Sequence, residues 1–315
     1  MWDCVVVGGG AAGLSAGLVL GRARRRILLV DAGSQSNLPA DGIGGLLGHD
    51  GRPPRELYEI GGAELAAYPS IEVRSGEVVG AMRDGDGFEL ELSDGTCERA
   101  RRVLLATGME YRPPAIPGLV ELWGRSVFHC PFCHGWEVRD QPLAVLANGD
   151  RAVHAALLLR GWTDDIVLLT DGRADLGDGG HALLTAAGVG VDERPIAELV
   201  ARNGELAAVA FTDGRRLARS GMLVATTVHQ RSRLAGRLGV NVAEPTAVAQ
   251  DQVAVDPMCR TNVPGVFAAG DLSARMPQVA AAIAAGSLAA ASVVQSLLAE
   301  DVGLPVGEWR ENVVA

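Results

Sequence analysis

Hydrophobic and polar positions near the start of the chain predict a strand, a turn and a helix. An apolar run from Cys4 to Val7 is followed by a glycine-rich stretch and then by a helical pattern from Leu14 to Leu20. A second apolar strand, Ile27 to Val30, comes next and ends in Asp31. Elements of these lengths in this order are typical of a βαβ unit with parallel strands.

The middle of the chain shows strand-like alternation interrupted by turn residues. We expect strands over Val73 to Val79, Phe88 to Leu92 and Val103 to Ala106, with Cys97 in a turn. The rigid stretch Tyr111-Arg112-Pro113-Pro114 then breaks the pattern and predicts a domain boundary.

A second unit with the pattern of the first follows that boundary. Leu143 to Ala147 is strand-like, Val153 to Arg160 is helical, and Ile166 to Leu169 is again strand-like. Two further apolar segments, Leu199 to Ala208 and Arg216 to Leu223, complete this unit. The chain therefore contains an internal repeat of architecture, with two dinucleotide-type units in one α/β fold.

The last part of the chain returns to the first unit. We expect a final strand over Val263 to Ala269, ending in Gly270-Asp271, and a long Ala-rich helix from Pro277. At 315 residues the chain suits two domains. We predict a first domain formed by residues 1–112 and 229–315, which is split by an inserted domain over residues 113–228.

Charge and composition exclude several kinds of partner. The formal net charge is −10 and we find no basic patch, which argues against binding to nucleic acid or anionic lipid. The apolar run Val279 to Ala299 is mostly Ala and is interrupted by serines, so we interpret it as a helix buried in protein rather than a membrane span. No signal peptide precedes the first strand, and the five cysteines are sparse and odd in number, which indicates a reducing cytoplasm.

The glycine-rich turn of the first unit has the spacing Gly-x-Gly-x-x-Gly. Gly8 allows the tight turn, Gly10 lets backbone approach a pyrophosphate, and Gly13 lets helix and strand pack closely. The helix N-terminus then faces the phosphates, and Asp31 is placed to accept hydrogen bonds from an adenosine ribose. Because strand, spacing and terminal acid agree, the sequence predicts a dinucleotide site here.

The run Cys130-Pro131-Phe132-Cys133-His134 indicates redox chemistry. A disulfide between such close residues constrains little chain and is a poor structural staple. A helix N-terminus after the pair would lower the pKa of a thiol and stabilise the thiolate. Two alternatives stay open: a buried, inert pair, and a zinc site that also uses His129 and His134, although the chain has no second Cys-x-x-Cys. We predict no metal.

The motifs occur in an order that resembles the low-molecular-weight thioredoxin reductases over nearly the whole chain. They are the glycine-rich unit, Ala106-Thr107-Gly108, the cysteine pair ahead of the second unit, and Gly265 to Asp271. The resemblance implies two Rossmann-like domains, FAD bound by the split domain, and a homodimer. It places Asp271 on the ribityl chain and the backbone of Gln278 and Val279 near the flavin ring. The other residues that it implies at the cofactor are Ala11, Ala12, Ala32, Asn37, Val78, Ala106, Thr107, Gly108 and Gly270.

The match to these reductases fails where a nicotinamide cofactor should bind. The family has a Gly-x-Gly-x-x-Ala turn, but this chain has Ala147-Asn148-Gly149-Asp150-Arg151-Ala152, and a Cβ at Ala147 strains the turn and crowds a pyrophosphate. The next strand is followed by Thr170-Asp171-Gly172-Arg173 rather than by an Arg cluster, and Asp171 would repel the 2′-phosphate of NADPH. NADH is disfavoured less, because Asp171 could accept a ribose hydroxyl.

The redox run also differs from that of the reductases, which carry Asp directly after the second cysteine. This chain has His134 there, and His129 precedes the pair. The pattern Cys-Pro-Phe-Cys-His-Gly-Trp-Glu resembles the dithiol oxidases of natural-product pathways, which close the disulfides of holomycin-type dithiolopyrrolones, gliotoxin-type epidithiodiketopiperazines and romidepsin. The segments Gly21 to Arg26 and Leu157 to Asp165 are most similar to the holomycin type. Ferredoxin- or flavin-linked thioredoxin reductases also lack NADPH motifs.

These observations lead to the hypothesis of an FAD- and oxygen-dependent dithiol oxidase that acts on a small molecule. A substrate thiolate would attack Cys130, the second substrate thiol would complete the substrate disulfide, and Cys133 would pass the electron pair to the flavin, with dioxygen reduced to hydrogen peroxide. His134 is the first candidate for the base and His129 the second, although either could instead hydrogen-bond only locally. A reductase that sends electrons from NAD(P)H or ferredoxin to a thioredoxin, and a flavin-bearing redox sensor without turnover, stay open.

Overall fold

The structure is a computed structural model that describes residues 1–274 and 276–304; the rest of the predicted 229–315 segment lies outside the described residues. The strands are β1 (Trp2–Val7), β2 (Ile27–Asp31), β3 (Ile71–Ser75), β4 (Val78–Asp84), β5 (Gly87–Leu92), β6 (Cys97–Leu105), β7 (Met109–Arg112), β8 (Val127–Phe128), β9 (Leu143–Leu146), β10 (Ile166–Leu169), β11 (Gly190–Asp192), β12 (Ile196–Arg202), β13 (Glu205–Phe211), β14 (Arg216–Ala218), β15 (Gly221–Val224), β16 (Thr227–Gln230) and β17 (Val266–Ala268). The helices are α1 (Ala11–Arg22), α2 (Pro54–Ala66), α3 (Pro131–His134), α4 (Asp150–Leu159), α5 (Gly180–Ala186), α6 (Leu234–Arg237) and α7 (Val279–Asp301).

The larger sheet has seven strands in the order β3-β2-β1-β6-β5-β4, with β17 also paired to β6. The strands β1, β2, β3 and β6 run parallel, whereas β4 and β5 add an antiparallel hairpin. The nine-residue β6 accommodates both kinds of neighbour, because its start pairs with β5 and its end, Val103 to Leu105, pairs with β17. The C-terminal part of the chain therefore completes the sheet that the N-terminal part begins.

A second sheet lies between these two parts of the sequence. It is parallel, with five strands in the order β11-β10-β9-β15-β8, and the antiparallel hairpin strands β12, β13 and β14 pack on it through residues such as Val209 and Phe211. The strands β7 and β16 form an antiparallel ribbon through which the chain passes from one sheet to the other and back. The predicted domain limits after residues 112 and 228 fall at the end of β7 and inside β16, and they stay a prediction.

The long apolar helix α7 packs inside the first unit. Its most apolar window has a mean hydropathy of 1.7, and 44% of that window is buried. By length and composition alone such a helix could cross a membrane. Here Ala289, Val293 and Leu297 are fully buried in a core shared with α1. A Cβ at Gly286 would collide with the carbonyl oxygen of Ala12, so α7 and α1 cross in backbone contact, as a core helix does.

The structure corrects several local predictions. The strand expected over Val73 to Val79 is two strands, because the chain turns at Gly76, where φ is +152°. Cys97 is the exposed first residue of β6 rather than part of a turn. The helix expected from Pro277 begins two residues later, at Val279.

Candidate functional site

A cavity of about 340 Å³ opens where β1 and β2 end. The predicted cofactor residues that line it are Gly8, Gly10, Ala11, Ala12, Asp31, Ala32, Asn37, Val78, Ala106, Thr107, Gly108, Gly270, Asp271, Gln278 and Val279. Gly13 does not line the cavity. It lies beneath the turn, where a Cβ would collide with the carbonyl oxygen of Gly8, so its part is the close packing of helix and strand.

The first glycine-rich turn leaves the start of α1 open to this cavity. Gly8 has φ +111°, and a Cβ there would collide with the carbonyl oxygen of Ala106. Gly10 is extended and precedes α1, with only a Gln35 methylene 3.6 Å from the position of a Cβ. A side chain at Gly10 would fill the space in front of the helix N-terminus, which is where backbone N–H groups and the helix dipole favour a phosphate.

Asp31 is oriented beside this turn by two donors. The N–H of Gly9 donates to Asp31 Oδ1 at 3.0 Å, and the amide of Gln35 donates to its two carboxylate oxygens at 3.2 and 3.0 Å. The carboxylate lines the cavity and keeps lone pairs for a ribose hydroxyl. Gln35 was not predicted, because polar residues in an irregular loop carry no periodic signal.

Two further polar groups of the cavity wall are the carboxyl of Asp271 and the guanidinium of Arg231. Burial raises the pKa of Asp271 to about 6, so this carboxyl lies in an apolar setting. Arg231, which sequence reasoning missed, lines the cavity and donates to the hydroxyls of Ser34 and Ser36 at 2.9 Å each. The cavity therefore combines a helix N-terminus, the carboxyl groups of Asp31, Glu77 and Asp271 and one guanidinium, a set that fits a dinucleotide with hydroxyl and diphosphate groups.

The cysteine pair borders the same cavity through one of its two members. Cys130 and Cys133 form a disulfide with their Cα atoms 5.4 Å apart. Cys133 lines the cavity, whereas Cys130 does not. A Cβ at Gly44 would lie 2.6 Å from the carbonyl oxygen of Cys133, so the loop of the first unit touches the redox helix directly. The helix α3 begins at Pro131, inside the pair rather than after it, and Cys130 is its N-cap.

Both predicted histidines line the cavity beside the disulfide. The His129 ring lies 4.1 Å from Tyr111 and 5.8 Å from Trp123, centroid to centroid, and burial lowers its pKa to about 4. His134 stacks on Phe128 at 5.7 Å, and burial lowers its pKa as well. Within the part of the chain that the structure describes, neither ring nitrogen of His134 has a hydrogen-bond partner. Two neutral imidazoles therefore stand beside the disulfide at pH 7, each able to accept a proton.

The turn of the second unit is filled by groups of the chain itself. Gly149 has φ +72°, and its N–H donates to the carbonyl of Asp175 at 2.9 Å and to the side-chain oxygen of Asn148 at 3.0 Å. The Asn148 amide donates in turn to the carbonyl of Arg173 at 3.0 Å. The loop after β10 is thereby held across the start of α4.

The acid that follows β10 is occupied too. Asp171 accepts the backbone N–H of Ile196 at 2.6 Å, at the beginning of β12. Arg151, in the first turn of α4, donates to the carbonyl of Thr226 at 3.1 and 3.0 Å and also to the carbonyl of Ala247. The groups that would serve a second dinucleotide in this unit therefore bind protein.

Metal binding has no support in the side-chain geometry. Among residues 1–274 and 276–304, no three His, Cys, Asp or Glu side chains converge as a metal site would require. The two thiols that the zinc alternative needs are joined to each other.

Comparison with known proteins assigns the chain to a family. The family model described as pyridine nucleotide-disulphide oxidoreductase matches residues 2–286. The chain belongs to this family. Thioredoxin reductase tcpT of Claviceps purpurea strain 20.1 is 32% identical over 308 residues, which are 95% of this chain and 95% of that protein.

Solved structures agree with this assignment. HlmI superposes with a TM-score of 0.89 at 39% identity, over 96% of this chain and 94% of that one. An oxidoreductase from Agrobacterium tumefaciens superposes with a TM-score of 0.88 at 37% identity, over 94% of this chain and 98% of that one. The predicted α/β fold of the thioredoxin reductase type is confirmed. The chain is an FAD-binding flavoprotein and an oxidoreductase of thiol–disulfide chemistry.

Proposed function

We propose that this chain is an FAD- and oxygen-dependent dithiol oxidase that forms an intramolecular disulfide in a small-molecule dithiol of the dithiolopyrrolone type. One observation carries the proposal. The disulfide borders the first cavity, whereas the turn that would bind a nicotinamide cofactor is filled by Asn148, Asp175 and Arg173. These contacts favour a dithiol over NAD(P)H as the electron donor.

FAD in this proposal lies along the cavity that opens where β1 and β2 end. The turn Gly8 to Gly13 and the start of α1 would hold the diphosphate, and Asp31 would accept the adenosine ribose hydroxyls. Asp271 would hold the ribityl chain, and the backbone at Gln278 and Val279 would lie near the flavin ring. The other predicted lining residues complete the wall. When bound, FAD supplies a two-electron acceptor that dioxygen reoxidises with release of hydrogen peroxide.

The two cysteines would divide the work by position. Cys130 lies outside the cavity wall, so a substrate thiolate attacks its sulfur and breaks the Cys130–Cys133 bond. The second substrate thiol then displaces Cys130, which leaves a substrate disulfide and two reduced cysteines. Cys133, which lines the cavity, then passes the two electrons to the bound FAD, and the Cys130–Cys133 disulfide re-forms. The sum is one dithiol and one dioxygen converted to one disulfide and one hydrogen peroxide.

His134 would accept the proton of the attacking thiol. Its two ring nitrogens are buried and make no hydrogen bond of normal geometry among the described residues, and the nearby backbone of Gly124 and Cys130 would stabilise the imidazolium that forms. Burial lowers the pKa of His134, which keeps the imidazole neutral at pH 7. His129, held between Tyr111 and Trp123, is the second candidate.

A disulfide reductase is the second candidate function. It is favoured by relatives that are named thioredoxin reductases, such as aclD of Aspergillus oryzae strain ATCC 42149 / RIB 40, which is 30% identical over 309 residues, 94% of this chain and 96% of that protein. Such an enzyme would take electrons from NAD(P)H or ferredoxin and pass them to a thioredoxin. A homodimer in the cytoplasm belongs to either proposal.

Peroxide formation without a nicotinamide decides between the two functions. Purified yellow protein is mixed in air with dithiothreitol or a dithiolopyrrolone dithiol, without NADPH, and hydrogen peroxide and substrate disulfide are quantified. We expect the two products in equal amounts and none without oxygen. Rapid bleaching of the flavin by NADPH, with no peroxide from the dithiol, would falsify the oxidase proposal.

A matched pair of cysteine variants tests the relay. Cys130→Ser should lose dithiol turnover yet retain FAD, because Cys130 does not line the cavity. Cys97→Ser, at an exposed free cysteine, should behave as the unchanged protein. A Cys130→Ser protein that still turns over would contradict the relay.

A further inference from the structure

We propose that Arg151 is a positioning residue that locks the second sheet in the orientation in which Cys133 borders the flavin cavity. The inference rests on the proposed function, because a dithiol oxidase needs only this one orientation. Thiol attack at Cys130 and electron return from Cys133 both use it, and no second dinucleotide has to reach the flavin.

The lock consists of one guanidinium and two carbonyl oxygens. Arg151 is half-buried in the first turn of α4, in the second unit. Both of its terminal nitrogens donate to the carbonyl of Thr226, at 3.1 and 3.0 Å, and Nη1 also donates to the carbonyl of Ala247. Charge-assisted hydrogen bonds of this kind are stronger than bonds between neutral groups.

The two acceptors lie on opposite sides of the connection between the sheets. Thr226 immediately precedes β16, which pairs with β7 in the ribbon that joins them. Ala247 follows that ribbon and belongs to a loop that is held on β16, since the N–H of Val228 donates to the carbonyl of Val248 at 2.8 Å. Any turning of the second sheet about the ribbon moves α4 away from Ala247 and breaks the Arg151 bond.

Other contacts across the same connection are weaker restraints. Arg125 pairs with Asp41 at 3.0 Å, but both side chains are exposed, and exposed pairs contribute little. Gly44 touches the backbone of Cys133 without a hydrogen bond that would resist separation. Within residues 1–274 and 276–304, Arg151 is thus the less exposed of the two charged contacts across this connection, and its loss should separate Cys133 from the cavity for part of the time.

The test uses the FAD-bound full-length protein and three variants. Arg151→Ala removes the lock, and Arg151→Lys keeps the charge but loses the forked donor. Arg160→Ala is the matched control, because Arg160 is the C-cap of the same helix and, among the described residues, forms its ion pair with the exposed Asp164, at 2.7 Å. Retained FAD and the Tm are measured first for each protein.

Hydrogen–deuterium exchange reports the lock without reference to activity. We expect amide exchange in peptides covering 225–230 and 246–250 to rise about 10-fold in Arg151→Ala and to stay unchanged in Arg160→Ala. Arg151→Lys should fall between them. Equal exchange in all four proteins would overturn the proposal.

Anaerobic kinetics separate the two steps of the relay. The rate at which dithiothreitol opens the disulfide, followed by alkylation of the freed thiol, should be unchanged in Arg151→Ala. The rate of flavin bleaching that follows should fall about 10-fold, with KM for dithiothreitol unchanged. A loss confined to the opening step would contradict a positioning role. If dithiothreitol does not bleach the flavin of the wild-type protein, the proposed function is wrong. The hydrogen–deuterium exchange experiment then tests the role of Arg151 by itself.

Discussion

Two turns of this chain join a strand to a helix in units of the same architecture. One of them lines a cavity, and the other is covered by a neighbouring loop. At Gly8 to Gly13 the start of α1 is open, and the acid that follows, Asp31, lines a cavity. At Ala147 to Ala152 the start of α4 is covered by the loop after β10, and the corresponding acid, Asp171, holds the backbone of β12. The fold alone therefore does not make a dinucleotide site.

What separates the two turns is the destination of a few polar groups. At the first turn Asp31 is held by Gly9 and Gln35 but still lines the cavity, whereas at the second turn Asn148 and Gly149 bond to each other and to the loop after β10. The bonds of the second turn are exposed, so each contributes only modestly to stability, but together they hold the loop after β10 over the start of α4. The predictions below test this contrast, beginning with the largest expected effect.

The strongest test of the contrast exchanges one glycine in each turn. Gly8→Ala would place a methyl against the carbonyl of Ala106 at φ +111°, and we expect FAD affinity to fall more than about 100-fold, roughly 3 kcal/mol. Gly149→Ala meets nothing within 4 Å and adds only backbone strain, so it should keep its FAD. Flavin absorbance after gel filtration measures both. A yellow Gly8→Ala protein would break the contrast.

The second test compares histidines of the two units. His134→Gln removes the proposed base at the first cavity, and we expect kcat/KM for a dithiol to fall about 100-fold or more. His154, exposed on α4, serves as the control, and His154→Gln should have no effect. Steady-state peroxide formation is the measurement. If His129→Gln shows the larger loss instead, the base is His129.

The third test compares the two acids. Asp31→Ala removes an acceptor from the cavity wall, and the Kd for FAD should rise about 10- to 100-fold, or about 1.4–2.7 kcal/mol. Asp171→Ala should leave the Kd unchanged and lower only the Tm, because Asp171 holds Ile196. Titration of the apoprotein with FAD gives both constants. Equal losses in the two variants would show that the acids do not differ.

The fourth test uses pH. The folded pKa of His129 is about 4, below its ordinary value, so the folded protein binds fewer protons than the unfolded chain between about pH 4 and 6.5. The lowered pKa of His129 therefore stabilises the folded protein fully above pH 6.5, and this stabilisation is lost as the pH falls toward 4. At pH 5 we expect a loss of about 2 kcal/mol, which His129→Gln should remove. The raised pKa of Asp271 acts in the opposite direction, but it cancels when wild type and variant are compared by urea unfolding.

The smallest effect is expected from removing the hydrogen bonds between Asn148 and the loop after β10. Asn148→Ala removes the bonds to the loop after β10, and the free energy of unfolding should fall by about 1 kcal/mol. NADPH should still not bleach the flavin, because the Cβ of Ala147 remains. Bleaching by NADPH in this variant would mean that the Asn148 hydrogen bonds alone prevent a nicotinamide cofactor from binding at the second turn.

Sequence patterns predicted what depends on local chemistry. The first βαβ unit, the glycine-rich turn and the cysteine pair were expected because each has a fixed spacing, and part of the cavity wall was expected from the family resemblance. The start of α3 inside the pair was not, because a four-residue helix leaves no periodicity.

Long-range bonds escaped prediction for another reason. Arg151 meets Thr226 and Ala247, and Arg231 meets Ser34, across large separations in sequence. Such bonds join a side chain to backbone or to a hydroxyl that has no pattern of its own. The filling of the second turn was therefore visible in the sequence only as a missing glycine.

The pairing of β17 with the end of β6 has a consequence for biosynthesis. The first sheet lacks β17, and α1 lacks its partner α7, until the whole intervening region has left the ribosome. The second sheet closes earlier, from segments that are nearer in sequence, so it can fold while the first waits. Flavin capture is then a late event, and a nascent chain stalled before β17 would carry a folded second unit, with Cys130 and Cys133 still as thiols, and no cofactor.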